Sequence, residues 1–155
     1  VSYLVVPDEE LSQGDIFRRV VVSRKLPDDE ATTNTAPSRV IVLSHGCEID
    51  KPIKPGTLTD TVLVARVFRK ADIPQGTWGN VTRRRVPNTF YLPIGTGQEE
   101  EAYVDWRSIQ PVDKTAILTA RRAGNYVCTL EGDLLEAMKD SLWDFLFREE
   151  PSPTS

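Results

Sequence analysis

The chain has 155 residues, 39% hydrophobic and 27% charged, the balance of a soluble globular domain and a length that one hydrophobic core serves. No apolar run approaches the roughly 20 residues a membrane-spanning helix needs, so we expect one domain over residues 1–150, a disordered tail over 151–155 and no membrane partner. Nineteen basic against 23 acidic residues give a net charge of −4, which excludes a uniformly basic nucleic-acid coat but leaves room for a local patch.

The charge is unevenly placed. Residues 1–38 carry −3, 39–85 carry +5, 86–130 carry −1 and 131–155 carry −5, so a basic island lies between acidic flanks. Along the chain, Asp15 to Val22, Arg39 to Ser44, Thr61 to Phe68 and Thr89 to Ile94 are short β-branched or aromatic runs bounded by Pro, Gly, Asn and Asp, and they read as strands. Ala102 to Trp106 and Ile109 to Val112 add two more. A short helix is expected over Lys114 to Ala120, with Asp113 as its N-cap. From Asp133 to Glu149 the apolar residues Leu134, Leu135, Met138, Leu142, Phe145 and Leu146 recur at helical spacing, with Thr129 or Glu131 placed to open that helix. The pattern predicts a mainly β fold, a curved antiparallel sheet followed by a C-terminal helix. Three long segments, 23–38, 45–60 and 69–88, read as loops, the class of segment that commonly carries function.

Ser44-His45-Gly46-Cys47-Glu48-Ile49-Asp50 gathers a hydroxyl, an imidazole, a thiol and carboxylates at a strand exit. His45 is the only histidine, so any imidazole acid/base chemistry uses it, and a closed zinc site would need partners at wider spacing. We expect neither a metal nor a cofactor. Two cysteines, Cys47 and Cys128, are too few for a disulfide framework and point to the cytoplasm. A nucleophilic Cys47 beside His45 competes with an ordinary small buried thiol.

Arg39 precedes an apolar strand and Arg66 interrupts another, where a charge must reach solvent or a partner. A guanidinium fork suits phosphate, and Arg69, Lys70, Arg83, Arg84 and Arg85 supply more cations. Trp78, Phe90 and Tyr91 lie near the island as candidates for stacking bases. Strand alternation sends Phe90 and Tyr91 to opposite sides, so one of the two at most can serve.

The order of these pieces resembles the MazF/PemK family of bacterial toxin ribonucleases. Leu11 to Phe17 is similar to its Gly-Asp-Ile opening strand and Arg39 to Ser44 to its Arg-led second strand. Val104 to Lys114 resembles its later Asp-Lys segment, and Leu130 to Leu146 its last helix. The resemblance implies a small SH3-like barrel, a homodimer, an antitoxin-like protein partner and metal-independent endoribonuclease action on single-stranded RNA. In that action the substrate's 2′-hydroxyl attacks the adjacent phosphate, assisted by an Arg, matched by Arg39, and a Thr or Ser. The chain departs from the family where Ala65-Arg66-Val67-Phe68 replaces Pro-x-Thr and Val40 replaces the proline after the Arg. The candidate catalytic set is therefore Arg39, Arg66, His45 and Glu48, with Arg69, Lys70 and Arg83 to Arg85 as RNA contacts. The alternative is a non-catalytic SH3-like module that holds a protein partner.

Overall fold

The β-branched runs pair into one antiparallel sheet. The computed structural model describes residues 2–5, 11–23, 35–44, 61–72, 79 and 88–147. The strands are β1 (Tyr3–Leu4), β2 (Asp15–Ser23), β3 (Thr35–Val42), β4 (Thr61–Arg69), β5 (Thr89–Leu92), β6 (Ala102–Asp105), β7 (Gln110–Asp113) and β8 (Tyr126–Leu130), with helices α1 (Lys114–Arg122) and α2 (Gly132–Phe147). Their order is β1-β8-β2-β3-β4-β6-β5, and β7 pairs with β4 off that path. The protein is thus a mainly antiparallel β-sheet with a C-terminal helix.

The sheet is buried on both faces because its strands alternate two apolar sets. Phe17, Val20 and Val22 of β2, Val40 and Val42 of β3, and Val62 and Val64 of β4 form one layer, capped by Ile117 and Ala120 of α1. Ile16, Ile41, Ala65, Val67, Phe90, Val104 and Trp106 form the other, capped by Leu134 and Met138 of α2. Each buried Val, Ile, Leu, Phe or Met side chain among them contributes roughly 1.5–3 kcal/mol of hydrophobic stabilisation. Trp106 is buried yet keeps its indole satisfied, since Nε1 donates to Ser141 Oγ at 2.9 Å and so fixes α2 on the sheet.

β4 changes partner halfway. Thr61 to Val64 pair with β7, and Val67 to Arg69 pair with β6. In the gap a 3-10 turn, Trp106–Ser108, brings the Ser108 hydroxyl to accept from Arg66 N at 2.8 Å, so the switch leaves no orphaned amide there. The outer strands β1 and β5 are not joined by a ladder. They are linked instead by the Tyr3 hydroxyl, which donates to Pro93 O at 2.6 Å just beyond β5.

Two strands depart from the sequence reading. β1 and β8 were not expected, and β8 lies inside the sheet between β1 and β2. Thr129 does not open the last helix: it belongs to β8 and pairs with Asp15 and Leu4. β3 begins at Thr35, so the last residues of the expected 23–38 loop are strand, paired with β2. The short helix begins after Asp113 as expected, but the Asp113 side chain makes no capping bond. Among the described residues no helix is long and apolar enough to cross a membrane.

A candidate anion-binding cleft between β3 and β4

The β3–β4 ladder runs from Val42↔Val64 to Arg39↔Val67 and stops. Beyond that point Thr35 to Ser38 follow β2, while Val67 to Arg69 follow β6. The two strands part, and the space between them is a cleft of about 450 Å³ whose walls include Arg19, Ser38, Arg39, Arg66, Phe68 and Arg69.

Register explains the density of charge. Phe17 pairs with Val40 and Val20 with Ser38, so Arg18 and Arg19 together oppose Arg39 in a β-bulge. Arg19 has φ 58°, a left-handed conformation that costs a side-chain-bearing residue on the order of 1 kcal/mol. The bulge turns the two arginines apart: Arg19 lines the 450 Å³ cleft, and Arg18 lines a neighbouring hollow of about 180 Å³ that Arg39 also borders. Burial lowers the Arg39 pKa from its ordinary value. Glu100 opposes that shift, and the like charges of Arg18 and Arg69 add to it.

Arg66 is held differently. Its guanidinium lies over the Phe68 ring, 4.4 Å from the centroid, and Phe68 stacks on Tyr103 at 5.1 Å with 20° between planes. Arg66, Phe68 and Tyr103 thus form a column on the α1 side of the sheet. The cation–π contact takes one face of the guanidinium, and in-plane N–H groups are the ones that donate to a phosphate.

The expected site residues fall into three groups. Arg39 and Arg66 lie on directly paired strands, and alternation points them to opposite faces. They still border one cleft, at the end of the ladder where the two strands separate. Arg69 joins them, with Glu100 as an ion partner at 3.8 Å. Lys70 is engaged with Glu101 at 2.8 Å and is not a wall residue. His45, Glu48, Arg83, Arg84 and Arg85, together with Cys47 and Trp78, lie outside the described residues. Phe90 is buried against Trp106, which removes it as a stacking platform, while Tyr91 is half-buried with its hydroxyl on Glu101. Arg18 and Arg19 were missed as site residues; an Arg-Arg pair inside an apolar strand was the available signal, but the bulge that aims them has none.

No protein-family model and no curated protein matches this chain. The site's chemistry is therefore read from its own groups: cationic donors on fixed strands, with no cluster of three His, Cys, Asp or Glu side chains able to hold a metal among the described residues. Cys128 is a free thiol under this site, fully buried, and desolvation pushes its pKa up to about 12. We expect it to resist iodoacetamide at pH 8 in the folded protein and to react after denaturation. Peptide mass spectrometry of the two samples checks this, and native-state labelling at Cys128 would contradict the burial.

Proposed function

We propose that this chain binds single-stranded RNA through the cleft, as a divergent protein of MazF/PemK-like layout whose curved sheet is an SH3-like barrel. The observation that carries the reading is the convergence of Arg19, Arg39, Arg66 and Arg69 on the gap between β3 and β4. Four guanidinium groups on one gap, with Glu100 as the carboxylate beside Arg39 and Arg69, leave the gap cationic on balance, a field that favours an anionic ligand. The Arg66–Phe68–Tyr103 column places a flat cation beside the phosphate path, a surface on which an unstacked base can also lie. Cleavage by the RNA's own 2′-hydroxyl is the reaction this reading carries. Arg39 and Arg66 would stabilise the charge that grows on the phosphate, and His45 and Glu48 would serve as proton carriers. The cytoplasm and a homodimeric state go with the same reading.

The test is fluorescence anisotropy with a labelled mixed-sequence single-stranded RNA at increasing salt, with a parallel gel in chelator. Binding is expected, with log affinity falling against log salt by roughly 0.7 for each phosphate engaged, and cleavage products persisting in chelator. Absence of salt-dependent binding would remove the proposal. One observation favours the alternative, a protein-interaction module: Trp143, Leu146 and Phe147 of α2 are 62%, 56% and 61% exposed, with the Trp143 and Phe147 rings 4.0 Å apart. Under that alternative the same assay gives no binding.

A further inference from the structure

Gln98 is fully buried, at 0% exposure, and among the described residues it is the largest polar side chain, aromatic residues apart, with less than 2% exposure. A buried amide is tolerated when its groups are bonded. Its Nε2 donates to Glu100 O at 2.7 Å, which fixes which way the amide points. The other end, Oε1, is then left to accept from Arg39 Nη1, at 3.3 Å.

The segment that delivers Gln98 is tightly seated. Gly95 and Gln98 exchange two backbone bonds of 2.9 Å each. Gly97 has φ +79°, and a Cβ there would lie 2.8 Å from Val127 O and 2.9 Å from Cys128 Cβ. At Gly95 a Cβ would come within 2.4 Å of the Tyr3 ring. The turn is therefore pressed closely against β1 and β8, which leaves no space for a side chain at 95 or 97 and gives Gln98 a defined origin.

We infer that Gln98 is a positioning residue for Arg39 in the proposed RNA site: a neutral acceptor that orients the guanidinium without neutralising it. The choice of side chain carries the point. A glutamate of nearly the same shape would hold the arginine more tightly, but it would cancel the charge an anionic ligand needs. Glu100, the nearby carboxylate, lies 3.8 Å from Arg69 and also acts on Arg39, so a second carboxylate at position 98 would add to negative charge already present. Arg39 borders both the larger cleft and the smaller hollow, which Glu99 and Glu100 also line, so its direction decides whether the guanidinium is offered to an anion in the cleft or to those carboxylates. The inference rests on the RNA-binding reading and adds which buried group sets its geometry.

The test combines Gln98→Glu, Gln98→Leu and Arg39→Ala in the RNA anisotropy assay, with thermal melts to confirm that each variant is folded. Gln98→Glu is expected to weaken RNA binding about tenfold and to lower the salt slope by about 0.7, the signature of one lost cation. Gln98→Leu is expected to weaken binding while keeping the slope, because the charge remains but is no longer aimed. In the Arg39→Ala background neither change has a further effect, since both act through the same guanidinium. A structural role for Gln98 would move RNA affinity equally in both backgrounds, and that additivity would overturn the inference. If Gln98→Leu does not fold, Gln98→Glu against Arg39→Ala gives the same cycle. RNA binding by the wild type with additive variants sinks the inference alone; no binding by the wild type sinks the RNA-binding reading and this inference with it.

Discussion

Replacing Asp15 by alanine is expected to destabilise the fold by about 3 kcal/mol, the scale for removing one side of a buried ion pair. Asp15 is 1% exposed and ties three elements together. Its carboxylate accepts from Ser12 N at 2.8 Å and from the Thr129 hydroxyl of β8, and it faces the buried Arg121 of α1 at 3.7 Å. Tyr126 extends the network, with its hydroxyl 2.6 Å from Thr129 Oγ1 and the Arg121 guanidinium 4.3 Å from its ring centroid. Alanine takes the acceptor from the Ser12 amide and the carboxylate from Arg121. The measurement is urea unfolding followed by far-ultraviolet circular dichroism, and a loss under 1 kcal/mol would contradict the network's role.

The same carboxyl sets a pH dependence of unusual sign. Burial raises its pKa from the ordinary 3.8, outweighing the Thr129 and Ser12 hydrogen bonds and the Arg121 charge. The folded state therefore holds this proton more tightly than the unfolded chain. The protonated form's contribution to stability is complete below the unfolded value and is lost as pH rises through the elevated folded one. Relative to Asp15→Asn, the wild type should gain stability as pH falls through that window. A difference between the two that is flat with pH would show that Asp15 titrates alike in both states.

Arg66→Ala is expected to weaken RNA binding by about 10- to 100-fold, from loss of a charge-assisted contact of roughly 1.5–3 kcal/mol, and to lower the salt slope by about 0.7. Arg66→Lys separates charge from geometry. A lysine keeps the cation and the slope, but it has neither the planar face that lies over Phe68 nor the fork that grips a phosphate. Its affinity should fall between wild type and alanine. Unchanged affinity in Arg66→Ala would show that the Phe68–Tyr103 column holds this arginine for packing alone.

Part of the site is legible in the sequence. Arg39 and Arg66 stood out because a charge in an apolar strand must go somewhere, and both border the cleft. Arg18 and Arg19 did not stand out, since their aim depends on a bulge opposite Arg39 that local sequence does not encode. Gln98, in a Gly-Thr-Gly-Gln stretch, carries no signal of burial in the sequence. It is buried only because the turn packs on β8 and Tyr3, which come from opposite ends of the chain. β8 does carry a local signal, since Tyr126 to Leu130 has the β-branched and aromatic composition of the other strands; what is tertiary is its place between β1 and β2.

The sequence by itself determined the positions of β2 to β7, the short helix α1 after Asp113, and the amphipathic stripe that seats α2. These depend on side-chain period, a local property of the chain. Only the tertiary structure decided where β3 and β4 part, which arginines that parting exposes to one another, and which buried neutral amide aims Arg39. Those features arise from pairings between residues tens of positions apart, and a one-residue change of register would redistribute every one of the charges involved.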